Sequence, residues 1–170
     1  MSVTVYQASV PQFIRMLGNL RGILEKAAAH AAAKKIDESA LLNARLFPDM
    51  FPLTVQVQIA SDFARGTSAR LCGIETPAVD DKETSFAELA ARVDVAMAYV
   101  KSLPAAKFEG AEGREIKRKI RGVERTFTGI DYLVQFALPN FYFHLTAAYA
   151  ILRHNGIEVG KTDFLGSFGG

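Results

Sequence analysis

Residues Pro139 to Gly156 read PNFYFHLTAAYAILRHNG. Proline near the first turn and glycine after the last are the start and stop that an α-helix favours. Between them Phe141, Phe143, Leu145, Ala148 and Ile151 leave almost no polar face. A helix that is apolar nearly all the way round is buried on more than one side. It belongs at the centre of a bundle or in a dimer interface, and the rest of the chain must supply its neighbours.

Working outward, three more segments carry the helical period. Phe13, Leu17, Leu20, Leu24, Ala27 and Ala31 recur at steps of three and four, which predicts a first helix from Pro11 to Lys35. Ala40 to Arg45 reads as a short helical turn that Pro48 interrupts. Leu53, Val57, Ala60, Ala64, Thr67 and Leu71 form the stripe of a second helix, Met50 to Leu71, stopped by Gly73. Gly73 to Thr84 reads as a loop, because Pro77, Asp80, Asp81 and Glu83 offer no apolar face. Ser85 and Glu88 then form a capping box that opens a third helix, which Pro104 ends. From Phe108 to Thr128 the period shortens to two, around Glu115–Ile120 and Glu124–Phe127 with Gly122 between, predicting a hairpin laid on the bundle. Ile130 to Ala137 gives a helical turn, and Asn140 to Asn155 the fourth helix. The expected fold is all-α: one domain over residues 1–170, a four-helix bundle with a small β-hairpin inserted between helices 3 and 4.

Composition narrows the partners. In 170 residues, 49% are apolar, and 20 Lys plus Arg against 18 Asp plus Glu leave a formal charge of +2. Bulk charge therefore selects neither nucleic acid nor an anionic membrane. The single Cys72 makes neither an internal disulfide nor a thiolate zinc cluster. With no basic-then-apolar leader near Met1 and no apolar run of about eighteen residues, the chain reads as a cytoplasmic protein.

Bundles place ligand sites between facing helices, so polar residues on inward stripes matter most. His144 is the conspicuous one, set within the most apolar helix, with Asn140 four residues before it on the same face. Gln56 lies near the inward stripe of the second helix and Gln58 faces elsewhere. A catalytic divalent metal wants about three protein ligands of His, Cys or carboxylate type, and Asn is a poor substitute. On the residues alone, His144 is a hydrogen-bonded core histidine before it is a ligand. His30 and His154, near helix ends, read as structural or exposed, and so do Asp62, Asp94 and Asp131, as solvent-facing or capping acids. Arg45 and Asp49, four apart before the second helix, read as a loop fastening and as secondary pocket residues. Cys72 ends a helix, where the dipole raises a thiol pKa. Gly156, Gly160, Lys161 and Thr162 imitate a phosphate loop but have the wrong spacing and follow a helix. Arg114, Lys117, Arg118, Lys119, Arg121 and Arg125, interspersed with glutamates, read as a solvated hairpin edge.

The runs Asn43–Leu53 (NARLFPDMFPL), Gln56–Asp62 (QVQIASD), Pro139–Gly156 and Gly160–Gly166 (GKTDFLG) resemble a bacterial family of unknown function in the DinB/YfiT-like superfamily. The resemblance implies a four-helix bundle, often dimeric. It also implies a divalent ion in the metal-binding members, among them thiol-dependent transferases and isomerases, held by one His of the second helix and an HxxxH pair on the fourth. With Arg153 and Gly156 setting the register, His144 falls on the second His of that pair, Asn140 on the first, and Gln56 near the position on the second helix. Neutral amides thus replace two of three ligands. The expectation is an inherited pocket built from Gln56, Asn140, His144 and either Tyr149 or Tyr132, in a homodimer that binds a small polar molecule. The competing expectation is a metal-dependent thiol transferase or isomerase in which His144, Asn140 and Gln56 hold a weakly bound zinc or nickel ion. A third is a homodimeric interaction module that uses the apolar fourth helix.

Overall fold

A computed structural model describes residues 3–167. The first helix, α1 (Val5–Lys34), starts a full turn and a half earlier than the Pro11 signal implies. Thr4 sets the start. Its Oγ1 accepts from the Gln7 amide at 3.2 Å while the Gln7 side chain accepts from the Thr4 amide at 3.0 Å, a reciprocal cap. Pro11 then rides inside the helix on an exposed position, its missing N–H offset by that cap and by burial of Val5 and Val10. After α2 (Glu38–Leu42), α3 runs Leu53–Cys72 and begins past Met50, because Pro52 holds the chain extended at the cap. Gly73 ends it in the left-handed region at φ 69°.

Helix α4 (Phe86–Ser102) is capped by Ser85, whose Oγ accepts from the Glu88 amide at 3.2 Å. The Glu88 carboxylate, however, reaches one residue further back than a capping box requires, accepting from the Thr84 amide and hydroxyl at 2.6 and 3.0 Å. Two short 3-10 turns lead to the hairpin of β1 (Ile116–Ile120) and β2 (Val123–Phe127), paired antiparallel with Ile116 opposite Phe127. Arg121 (φ 49°) and Gly122 (φ 82°) make the tight turn, both in the positive-φ conformation whose twist matches the strands.

The last helix is longer and less regular than its sequence suggests. A single turn, α5 (Gly129–Asp131), capped by Thr128, passes through a π-helical segment (Tyr132–Ala137) straight into α6 (Leu138–His154). Pro139 is therefore inside the rod rather than its first residue. It has no N–H for the Gln135 carbonyl, and its ring crowds that carbonyl, so the turn before it widens. Gly129 is obligatory at the entrance, since a Cβ there would lie 1.8 Å from the Ala111 carbonyl oxygen.

Helix α1 packs on α4, α4 on α3, and α3 on α6, with α6 closing back on α1 and α7 (Lys161–Leu165) lying across α1. Phe13 and Phe141 meet edge to face at 4.9 Å, joining α1 to α6 within the core. The expected all-α bundle with one inserted hairpin is thus the observed one. Among the described residues, no helix is long and apolar enough to cross a membrane.

Candidate functional site

His144 on α6 and Gln56 on α3 meet where those two helices pack. His144 Nδ1 lies 2.7 Å from Gln56 Oε1, and Gln56 Nε2 donates to the Phe51 carbonyl at 3.1 Å. The second bond fixes the first. With its NH2 committed to a carbonyl, Gln56 turns its oxygen to the ring, and an amide oxygen only accepts. His144 therefore carries its proton on Nδ1, and the lone pair is on Nε2. Burial pushes the imidazole pKa down, so the ring is neutral. Phe63 of α3 lies nearly parallel to the ring at 6.1 Å, and Phe143 meets it edge-on at 5.3 Å.

The other expected site residues are elsewhere. Asn140 turns back along its own helix, its Nδ2 donating to the Phe136 carbonyl at 2.7 Å, a bond the π turn places within reach. Tyr149 packs edge-on against Phe164 of α7 at 5.7 Å, away from His144. Arg45 is exposed and donates to the Met50 carbonyl at 2.8 Å, while Asp49 is exposed and, among the described residues, makes no ion pair with it. Both fasten or decorate a loop, and neither lines a pocket with His144. Of the expected metal set, only one nitrogen ligand remains. Gln56 spends its oxygen on the ring and Asn140 its amide on the helix; no cluster of three His, Cys, Asp or Glu is placed for a metal among the described residues. These residues do not fit a resident divalent ion.

One aromatic ring away lies a cavity of about 340 Å³, bounded by α3, the 74–84 loop, β1 and the π turn. Phe63 and Tyr132 form its aromatic wall; Asp62, Arg65, Arg70 and Arg118 are its charged lining. Tyr132 is buried, stacked obliquely on Phe136 at 5.8 Å, and its hydroxyl stands 3.5 Å from Arg70 Nη1. Of the two expected tyrosines, Tyr132 is the one that lines this cavity. Asp62 is not a simple solvent-facing acid: it pairs with Arg92 at 3.0 Å and Arg65 at 3.6 Å, and desolvation pushes its carboxyl up against the pull of both.

The fold and the helix pairing have counterparts among known proteins. Residues 5–165 match the family described as Domain of unknown function (DUF1993). The chain belongs to the DUF1993 family. This DUF1993 protein is also similar to the crystal structure of a DinB family member protein from Shewanella denitrificans. The two are 44% identical with a TM-score of 0.90, over 96% of this chain and 93% of that one. It is therefore a DUF1993 member of the DinB-like superfamily. No curated protein matches it.

Three functional candidates of this DUF1993 protein, Arg65, Arg70 and Arg118, escape a reading by motif. Arg118 escapes because the hairpin's charges read as one solvated edge. A strand alternates faces, and Lys117 and Lys119 are indeed exposed, but Arg118 shares its face with Ile116 and Ile120 and turns to the bundle. Arg114 also leaves the edge, donating to the Leu71 carbonyl at the end of α3. Arg65 sits beside an apolar stripe rich in small residues, a position where a buried guanidinium needs a reason. Nucleophilic chemistry has no foothold at Cys72, since burial pushes its thiol pKa up.

Proposed function

We propose that this DUF1993 protein binds a small polar molecule, without a resident metal, in the cavity beside Tyr132, one ring removed from the His144–Gln56 pair. The observation that carries the reading is where polar groups lack partners. His144 and Gln56 satisfy each other across α3 and α6, whereas buried Nε atoms of Arg65 and Arg118, both cavity-lining residues, have none. A buried donor without a partner costs about 1–3 kcal/mol, which a ligand relieves. The cavity is at the small end of ligand pockets, which run to about 300–1,000 Å³, and mixes aromatic and polar walls as they do.

The test is metal analysis of protein purified without an affinity tag, together with thermal shifts in a panel of small polar compounds and in zinc and nickel. The reading expects metal at background, no shift with either ion, and a compound-dependent rise in Tm that Arg70→Ala abolishes. Stoichiometric metal that disappears in His144→Ala would overturn it in favour of the metal-dependent transferase or isomerase.

A homodimer is the second part of this reading, supported by apolar rings left at the surface. Phe143 of α6 is 57% exposed and Phe47, in the loop before α3, 63%. Cytoplasmic placement accords with a buried, free Cys72.

A further inference from the structure

We infer that the ligand of this cavity is a small organic anion, its carboxylate or phosphate held among Arg65, Arg70 and Arg118 and its body lying against Phe63 and Tyr132. The inference rests on the cavity being the ligand site and adds the chemical class. Three guanidinium groups share one carboxylate, Asp62, which is held closest by Arg92 outside the cavity at 3.0 Å and meets only Arg65 of the three, at 3.6 Å.

Arg92 shows how this protein treats an arginine that has a purely structural task. It is buried and meets Asp62, Asp81 and Glu83 at 2.8–3.0 Å, with the Asp80 carbonyl at 3.1 Å. Its Nε is nonetheless buried without a partner, as are those of Arg65 and Arg118, so what sets the cavity arginines apart is how few carboxylates they meet. Arg65 is 94% buried by its 6% exposure, bonds the Pro77 carbonyl at 2.8 Å, and leaves Nε without a partner. Arg70 has the Tyr132 hydroxyl at 3.5 Å and no carboxylate. The Arg118 side chain makes no hydrogen bond and no ion pair among the described residues, and its Nε is buried. Arg65 is buried and Arg70 and Arg118 are half-buried, so three positive charges share one 3.6 Å carboxylate contact, a deficit that an anion would fill.

Room for it is built into the backbone. A Cβ at Gly66 would lie 2.5 Å from Arg70 Nη1, so the glycine leaves space for that guanidinium to lie along α3. Desolvation and then the neighbouring Arg70 charge push the Arg118 pKa down, as expected of like charges held together without a counter-ion. Guanidinium groups bind carboxylate and phosphate oxygens in forked, charge-assisted pairs.

Calorimetry with benzoate, phenyl phosphate, inorganic phosphate and the neutral isostere benzamide, on the wild type and on Arg118→Ala, tests the class. Binding of at least one anion, at least tenfold tighter than benzamide and at least tenfold weakened in Arg118→Ala, supports it. Benzoate or phenyl phosphate alone would assign the oxyanion type. Because the Arg118 side chain has no hydrogen-bond or ion-pair partner among the described residues, Arg118→Ala in the absence of ligand should keep or raise Tm, and a large loss of Tm would overturn the assignment. Benzamide binding as well as the anions overturns the charge class and leaves the polar-ligand reading standing. Failure of every anion, with other polar compounds still raising Tm through Arg70, separates the two in the same way; failure of all compounds overturns both.

Discussion

At the scale of single residues, the proton on His144 has a measurable consequence. The folded imidazole has its pKa below the ordinary value because the ring is desolvated. An unfolded histidine titrates near about 6.5. Above that pH both states are neutral and nothing is lost. As pH falls through it, the unfolded chain takes up a proton that the folded chain resists, so stability declines by up to about 1.4 kcal/mol per pH unit. Urea midpoints measured from pH 7 to pH 5 should fall for the wild type, and His144→Gln should flatten that decline. An undiminished decline in the variant would remove His144 as its source. That His144 is interior was legible, because the helix around it has no polar face. Gln56 was legible too, from its place near the stripe of α3. The fate of Asn140 was not: its side chain bonds a carbonyl four residues back, in a π turn that no periodicity announces.

At the scale of elements, Arg92 of α4 is the charged centre of the contacts that hold the 74–84 loop to the bundle, beside Gln58 and Arg65 of α3. Arg92 joins Asp62 of α3 to Asp81 and Glu83 of the loop, and Gln58 of α3 donates to the same Glu83 at 2.7 Å. Burial raises the Glu83 pKa, but the bonds from Gln58 and Arg92 outweigh it and hold the carboxyl below its usual range. Arg92→Ala would leave a largely buried carboxylate uncompensated, for which a loss of about 3 kcal/mol is expected. The loop should also become protease-sensitive between residues 74 and 84 before the helices do, as limited digestion followed by mass spectrometry would show. Cleavage elsewhere first would mean that the cluster does not anchor the loop. Helix identities were readable from period and stops, whereas two helix starts were not. Pro11 and Pro139 both look like first-turn prolines, yet both ride on exposed positions inside longer helices. In each case something upstream wins: the reciprocal cap of Thr4 for α1, and the α5–π turn that α6 simply continues.

For the whole molecule, a net charge of +2 conceals a sharply uneven interior. One arginine, Arg92, is surrounded by three carboxylates, while the three around the cavity share a single 3.6 Å contact to Asp62, so composition speaks to bulk steering and not to the site. The same distinction between total and placement applies to apolar surface. Helix α6 is apolar all round, and the bundle buries Phe141, Leu145, Ala148 and Ile151 but leaves Phe143 facing out. Scattered apolar side chains at a surface need no explanation, but three phenylalanine rings more than half exposed, Phe143, Phe47 and Phe51, are large apolar groups that a dimer would cover. A stable interface needs roughly 800 Å² from each partner, with aromatic anchors near its centre. If these rings are such anchors, light scattering across a hundredfold dilution should give twice the chain mass, and Phe143→Glu or Phe47→Glu should halve it with little change in Tm. Little change is expected because neither ring is part of the buried core, although Phe143 meets His144 edge-on. Monomeric wild type at high concentration would refute the dimer. A variant that halves the mass while binding ligand normally would place assembly and binding on separate surfaces, as expected where Arg118 and Phe143 line no common cavity.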